Sequence, residues 1–257
     1  HGPYSINFYS SIMAKGDLVI AISEMIKKYV LDNYKVHKKR LYLNYRGVDS
    51  INYNNKQTVS KLWSKDWFRE YPKTKNKILV TLPARITRWK GQEDFISLIL
   101  QLKDDFPDIH GLIVGDAQKG KKKFLKSLRA KVKLNNLTDN ITFTGHRGDI
   151  KEIMLISKIV FSLSNEPEAF GRVSLEALSL GVPVIAYSHG GVEEQLKKIL
   201  PSGLVTKNSN QLLYEKTKKF LIKPPIPKKN NHFLLKNMLE NTLNIYFIGI
   251  KINNQDR

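Results

Sequence analysis

The 257-residue sequence contains no cysteine, which excludes disulfide bonds and thiolate metal sites. No apolar run approaches the roughly 18 to 20 residues that a transmembrane helix needs. The N-terminus shows no signal-peptide pattern, so we expect none. These absences predict a cytoplasmic protein, with peripheral attachment to the inner face of a membrane as an open alternative. Hydrophobic residues make up 41% of the chain, which is enough for a globular core.

Acidic residues are few compared with basic ones. The chain has 43 Lys and Arg against 23 Asp and Glu, a formal net charge of +20. Because the lysines are spread along the chain, and Lys, Asn and Ile are all abundant, a general composition bias is the favoured origin of this charge. An anionic membrane surface is an alternative partner. Nucleic acid is not expected as a partner, because the positive charge is the only feature of the sequence that favours nucleic-acid binding.

Five short apolar runs alternate with helical patterns in the middle of the chain. The runs that predict strands cover residues 77–83, 109–115, 141–145, 158–164 and 182–187. The predicted helices cover 92–105, 121–134, a segment starting at Asp149 as N-cap, and 172–180. Strands that alternate with helices across short loops predict an α/β protein with a Rossmann-like parallel sheet and helices on both faces.

The segments on either side of this sheet are less regular. Residues 1–50 hold a predicted helix (23–31) between two short strands (18–21 and 40–43), which is too little for a complete domain. We interpret residues 51–76 as a linker with a connecting helix, 77–222 as a nucleotide-type ligand domain, and 223–257 as a tail. The tail contains a proline-rich break and an amphipathic helix near 230–247.

Charged residues and glycines follow the predicted strands, where ligands bind in open parallel sheets. They are Arg85, Lys90 and Gly91; Gly115 and Asp116; Gly145, His146 and Arg147; Glu166, Glu168, Phe170 and Gly171; and His189, Gly190 and Gly191. Two cations, glycines and the start of a helix near Arg172 suit a diphosphate. Nearby carboxylates suit sugar or ribose hydroxyls. The pattern therefore favours a nucleotide-type ligand.

Two other motif readings are disfavoured. Residues 115–121 match most of a P-loop, but Lys122 stands where Mg²⁺ coordination needs Ser or Thr. A pair of acids also suggests a glycoside hydrolase, but such an enzyme does not need a cationic phosphate site beside its carboxylates. The six histidines show no metal-ligand spacing, so we predict no metal site.

One long stretch of sequence resembles the motif of glycosyltransferase family 4. The members of that family are retaining enzymes of the GT-B fold. The string reads Glu166-Pro-Glu168-Ala-Phe170-Gly171-Arg172-Val-Ser-Leu-Glu176-Ala-Leu-Ser-Leu-Gly181-Val-Pro183. Further matches are Arg85 to Gly91, Val114 to Asp116, Phe143 to His146 and His189 to Glu194. The resemblance runs from about residue 75 to 195. It implies a C-terminal, donor-binding GT-B domain.

The front of the chain is similar to the end of the family's N-terminal domain, at residues 1–4, 17–23 and 46–49. Most of that acceptor-side domain is missing from the pattern, so the resemblance implies a remnant over residues 1–50. The last helix resembles the one that crosses back to brace that domain. A truncated gene product and half of a split enzyme, with a separately encoded N-terminal half, both stay open.

The resemblance also implies roles for individual residues. Arg85 and Lys90 would hold the donor diphosphate and stabilise its charge as it leaves, and Glu168 would bind hydroxyls of the donor sugar. The rest of the implied donor-binding set is Gly115, Gly145, His146, Ala169, Phe170, Gly171, Arg172, Val173 and Glu176. In this set Glu176 would bind the ribose, and Gly145 and His146 would lie near the base. His1 matches a segment on the acceptor side. No cofactor and no metal are expected.

The resemblance therefore implies a retaining hexosyltransferase that moves a sugar from a nucleoside diphosphate, UDP or GDP, to a hydroxyl acceptor. Synthesis of cell-envelope polysaccharide or lipopolysaccharide is the implied setting, and a lipid-linked acceptor would suit the basic surface. The alternative is an inactive or partner-dependent fragment that binds the nucleotide sugar, because a transferase must position an acceptor as well as a donor.

Overall fold

The computed structural model describes residues 6–117 and 122–255. A six-stranded parallel sheet forms its centre, in the spatial order β5-β4-β3-β6-β7-β8. Its strands are β3 (Ile78–Pro83), β4 (Ile109–Val114), β5 (Ile141–Gly145), β6 (Ile159–Ser162), β7 (Val184–Tyr187) and β8 (Leu204–Val205). A separate two-stranded parallel sheet is formed by β1 (Val19–Ala21) and β2 (Leu41–Leu43). The predicted α/β class with a parallel sheet is confirmed.

Helices cover both faces of the main sheet. The α-helices in the described ranges are α1 (Phe8–Ser11), α2 (Glu24–Asn33), α3 (Lys61–Glu70), α4 (Gln92–Leu102), α5 (Lys122–Leu134), α6 (Ile150–Leu155), α7 (Arg172–Ser179), α8 (Gly190–Ile199), α9 (Asn210–Ile222) and α10 (Leu235–Gln255). All six residues of β4 are buried, as expected for a parallel strand covered on both sides. Phe95, Ile96 and Ile99 of α4 are fully buried in the same core.

The order of the strands creates a switch point. From β3 the chain moves outward to β4 and β5, returns to place β6 beside β3, and then moves outward the other way. The loops that leave β3 and β6 therefore diverge, and a crevice opens between them at the carboxyl edge of the sheet. Such a crevice is where open α/β sheets bind ligands.

Strand β8 was not among the predicted strands. It is only two residues long, which is too short to show a periodic pattern. It pairs with β7 after a single 3₁₀ turn at Pro201–Gly203. Its position at the edge of the sheet is thus fixed by tertiary packing rather than by a local signal.

The N-cap prediction for Asp149 is correct in position and wrong in mechanism. Asp149 precedes α6, but its carboxylate accepts no bond from the amides of the first turn. Both carboxylate oxygens instead accept from the guanidinium of Arg147, and one also accepts from the indole of Trp63. A charged, nearly planar partner competes successfully with the amides because charge-assisted hydrogen bonds are the stronger ones.

Helix α10 begins at Leu235, five residues later than predicted, and runs to Gln255. Its start is delayed because the side-chain oxygen of Asn230 accepts from the amides of His232 and Phe233, which closes a turn instead. The helix then packs on the N-terminal segment, where the Asn44 amide donates to the Met238 carbonyl at 3.0 Å and to the Thr242 hydroxyl.

Helix α10 leaves an apolar stripe exposed. The stripe consists of Leu239, Leu243, Tyr246, Phe247 and Ile250, whose spacing places them on one face of the helix. Despite this stripe, the described part of the chain has no helix with the length and apolar character needed to cross a membrane.

Candidate functional site

Two adjoining pockets occupy the crevice at the carboxyl edge of the sheet. They meet at Pro83, Ala84 and Val173, which line both. The first pocket, on the β6 side, is also lined by Lys90, Ser162, Leu163, Ser164, Glu168, Gly171, Arg172 and Ser174. The second pocket, on the β5 side, is also lined by Arg85, Val114, Gly115, Asp116, Ala117, His146, Arg147 and Ile150. The crevice is therefore one cleft with two compartments.

Lys90 and Glu168 form an ion pair in the first pocket. The Lys90 ammonium lies 2.8 Å from a Glu168 carboxylate oxygen, and the two side chains are only 12% and 20% exposed. The same oxygen accepts from the Ser164 hydroxyl, and the ammonium lies over the Trp89 ring at 4.1 Å. Sequence reasoning did not identify Ser164, because it lay inside the predicted strand of residues 158–164, whereas β6 ends at Ser162 and leaves Ser164 in the following loop.

The loop from His189 to Gly191 holds the backbone around Glu168. The Gly191 amide donates to the Glu168 carbonyl at 2.8 Å, and the His189 ring contacts the Ser164 carbonyl at 2.7 Å. Gly190 has φ of +68°, and a Cβ there would lie 2.7 Å from the Glu168 carbonyl oxygen. Only glycine fits such a close approach without a shift of one loop.

Arg85 lies in the second pocket, next to the point where the pockets meet. Its backbone carbonyl accepts from the Gln92 amide at 2.9 Å, and Gln92 is almost completely buried. A Cβ at Gly115 would lie 2.1 Å from the Ala84 carbonyl oxygen, so glycine also permits this loop to pack. The Arg85 guanidinium forms no ion pair with any described residue, in contrast to Lys90. It is therefore a cation available to an anionic ligand.

The N-terminus of α7 points at the first pocket. Gly171 precedes the helix with φ of +85°. The buried amide of Gln195 donates to the carbonyls of Phe170 and Gly171, which fixes this turn. Free amides at a helix start attract anions. Sequence reasoning missed Gln92 and Gln195, because contacts made across the fold leave no local pattern.

Phe170 and Ala169, which belong to the predicted set, have side chains outside both pockets. Phe170 is 3% exposed, and its ring packs against those of Tyr45 and Phe233 in the core. The Ala169 carbonyl accepts from the hydroxyl of Ser23, at the start of α2, at 2.6 Å. Only the backbone of these two residues is placed to take part in a site.

Glu176 lies one turn into α7 and lines neither pocket. Its carboxylate pairs with Arg172 at 3.1 Å, and its side chain is 10% exposed against 70% for Arg172. Burial raises the pKa of Glu176, and the charge and hydrogen bond of Arg172 oppose that rise. A partly desolvated carboxylate of this kind is a suitable acceptor for hydroxyl donors.

On the β5 side, Gly115 and Gly145 are joined through the backbone. The Gly115 amide donates to the Gly145 carbonyl at 2.8 Å, and His146 follows as part of the second pocket. Predicted residue His1 lies outside the described residues. Among the described residues, no three His, Asp or Glu side chains are grouped to hold a metal ion.

The fold and the cleft define an α/β protein suited to a phosphorylated, hydroxyl-rich ligand. The family described as glycosyl transferases group 1 matches residues 64–234, which is more than half of the chain. The chain therefore belongs to the group 1 glycosyltransferases. The string from Glu166 to Pro183 and the cleft both lie inside the matched range.

Similar proteins agree with this assignment. An uncharacterized glycosyltransferase of Methanocaldococcus jannaschii is 29% identical over 71% of this chain. A glycosyltransferase from Rickettsia africae has a TM-score of 0.81 and 28% identity, over 95% of this chain and 67% of that one. HepE of Anabaena, solved with UDP and glucose, has a TM-score of 0.74 and 26% identity, over 84% and 57%. The fold is that of GT-B glycosyltransferases.

The chain is shorter than these proteins. It spans 44% of the length of the Methanocaldococcus relative and 57% of the HepE chain.

Proposed function

We propose that the cleft binds a nucleoside diphosphate sugar and that the complete enzyme transfers the sugar, with retention, to an acceptor hydroxyl, as in glycosyltransferase family 4. The observation that carries this proposal is the unpaired Arg85 next to the Lys90–Glu168 pair and the start of α7. A diphosphate at the junction of the two pockets lies within reach of both cations. The sugar then occupies the pocket of Glu168, and the nucleoside occupies the pocket of His146.

In the transfer step the bond between the anomeric carbon and the phosphate oxygen breaks, and the acceptor oxygen bonds to that carbon. The proton of the acceptor hydroxyl passes to the departing phosphate on the same face. Arg85, Lys90 and the amides at the start of α7 stabilise the charge that grows on the diphosphate. We propose that this set replaces a metal, so activity survives chelation of divalent ions.

The remaining roles are those that the resemblance to glycosyltransferase family 4 implies. Glu168, next to Lys90, accepts hydrogen bonds from donor-sugar hydroxyls. Glu176 binds the ribose, which requires it to exchange its Arg172 partner for the ligand. UDP is the first nucleotide to test, since HepE of Anabaena was solved with UDP. GDP is the alternative.

A transferase must position an acceptor as well as a donor. We propose that a further N-terminal portion, in the same or a separate chain, supplies the acceptor site. The proposed setting is polysaccharide synthesis at the inner face of a membrane, supported by the net charge of +20.

Calorimetric titration with UDP and GDP tests the proposal. We expect one nucleotide to bind, and Arg85→Ala to weaken it by about tenfold, the loss of one charge-assisted contact. Arg69→Ala is the matched control, because Arg69 is 76% exposed and, among the residues the structure describes, forms its ion pair with Asp66 on the same helix. Equal effects of the two substitutions would show that binding reflects general charge, and absence of binding would remove the donor-site proposal.

A further inference from the structure

Helix α3, which sequence analysis treated only as a connection, contacts the loop that lines the nucleoside side of the cleft. This loop, the β5–α6 loop, covers residues 145–149. Trp63, Trp67 and Tyr71 form a row of stacked and tilted rings, with centroids 5.3 and 4.5 Å apart. The Trp63 indole donates to the Asp149 carboxylate at 2.8 Å. The helix thus reaches the far end of the loop directly.

Arg147 connects the loop to the helix more firmly. Its Nε and Nη2 donate to the two oxygens of Asp149, each at 2.8 Å. Its Nη1 lies 2.9 and 3.0 Å from the two oxygens of Glu70 at the end of α3. The guanidinium also lies 5.7 Å from the ring centroids of both Trp67 and Tyr71. The loop and the helix are therefore joined through one planar group.

These contacts make Arg147 different from Arg85, the other arginine of the second pocket. All three of its nitrogens are engaged by two carboxylates, which offset its charge. Those carboxylates also hold the pKa of Arg147 above its ordinary value. Although Arg147 lines the second pocket, it is not free to bind a phosphate in the way that Arg85 is. Its geometry is that of a group that orients its neighbours.

The loop needs such a group because its backbone is held at its ends, by the bond between Gly145 and Gly115 and by the first turn of α6, whereas residues 146–148 make no backbone–backbone hydrogen bond with the described residues. Gly145 has φ of +72°, and a Cβ on either Gly145 or Gly148 would meet no atom within 4 Å. Two glycines with open space beside them leave His146 and Arg147 with little to restrict their conformation. The contacts of Arg147 and Trp63 with α3 supply that restriction from the other side.

We propose that Arg147, held by Glu70 and Asp149 against the aromatic rings of α3, is a positioning residue that shapes the nucleoside compartment and sets its preference for one base. This inference rests on the proposed nucleotide-sugar function. If Arg147 has this role, the contacts with α3 affect the affinity for the nucleoside part of the ligand and leave the affinity for its phosphates unchanged. The two contributions are separable because Arg85 and Lys90 lie on a different loop, after β3.

The test compares UDP, GDP and inorganic pyrophosphate by calorimetry on the full chain. Lysine keeps the charge of Arg147 but loses the planar, bidentate geometry. We expect Arg147→Lys to weaken the preferred nucleotide by about tenfold, which is the cost of ordering about one further loop residue on binding. Pyrophosphate affinity should change by less than about twofold, and the ratio between UDP and GDP should fall. Arg69→Lys, which changes an exposed arginine of α3, is the control and should leave all three affinities unchanged.

Trp63→Phe is the second variant, in case Arg147→Lys fails to fold. It keeps a ring in the aromatic row and removes only the indole donor to Asp149. We expect about a threefold loss of nucleotide affinity and faster amide hydrogen exchange over residues 144–149, with exchange in β3 and β4 unchanged. An unchanged nucleotide affinity, or an equal loss for nucleotide and pyrophosphate, would overturn the positioning role. A native chain that binds pyrophosphate but no nucleotide would overturn the proposed function as well.

Discussion

The Lys90–Glu168 pair allows a prediction in which stability and ligand binding respond differently. Removing one partner of a fully buried ion pair costs about 3–5 kcal/mol, whereas exposed pairs contribute about 0–1 kcal/mol. With side chains 12% and 20% exposed, this pair lies between those limits. We therefore expect Lys90→Met to lower the free energy of unfolding by about 2 kcal/mol, because Glu168 is left in a partly desolvated place without its cation.

Glu168→Gln alone should lower the free energy of unfolding less, by about 1 kcal/mol, because the amide still accepts from Ser164 and Lys90. The double variant should be more stable than the sum of the two changes predicts, by about 1 kcal/mol. Urea denaturation of the four proteins measures this coupling. Lys197→Met is the control, since its pair with Glu193 is 64% exposed on the lysine side and should cost less than about 0.5 kcal/mol.

Nucleotide binding should not follow the same rule. Lys90→Met should weaken UDP by about tenfold, and the double variant should not recover that affinity, because the cation for the diphosphate is still missing. Glu168→Gln alone should leave the affinity for UDP unchanged. If the native protein binds a UDP-sugar more tightly than UDP, this variant should bind the two with equal affinity. Additive unfolding energies would show that the pair does not form in solution. Recovery of UDP affinity in the double variant would refute the role of Lys90.

Three further predictions concern buried polar groups. Gln195→Leu removes the side-chain donor to the Phe170 and Gly171 carbonyls. We expect a loss of about 1–3 kcal/mol in unfolding free energy, together with weaker nucleotide binding. Unchanged nucleotide binding by calorimetry would contradict this expectation. Ser23→Ala removes the N-cap of α2 and the hydrogen bond from Ser23 to the Ala169 carbonyl. Urea denaturation should show a loss of about 1–2 kcal/mol in unfolding free energy, whereas a loss below about 0.3 kcal/mol would exclude the contact. Burial lowers the pKa of His110 to about 4. The unfolded chain therefore binds more protons between pH 4 and 6.5, and stability rises with pH across that window. His110→Asn should flatten this rise in unfolding free energy, and an equal slope in both proteins would contradict it.

The sheet was predictable because five of its strands are apolar runs long enough to stand out, such as residues 77–83 and 109–115. Strand β8 was missed because two residues carry no periodicity. The role of Asp149 was mistaken because a carboxylate that precedes a helix looks like a cap, whereas Arg147 and Trp63 compete for it only in the folded chain.

The candidate site was predictable in part, because the carboxyl ends of parallel strands lie at the same edge of the sheet. That principle placed Arg85, Lys90 and Glu168 near one another before any contact was known. It did not reveal that Gln92 and Gln195 hold the loops in place, or that Phe170 turns into the core. Such roles depend on side chains that meet across the fold, and neighbouring residues in the sequence carry no trace of them.

A crystal structure of the chain with bound UDP tests the central claim most directly. We predict that the diphosphate lies where the two pockets meet, within hydrogen-bond distance of Arg85, Lys90 and the first amides of α7. The uracil should lie beside His146, on the β5 side. A diphosphate bound elsewhere on the basic surface, or a nucleoside in the pocket of Glu168, would contradict the account.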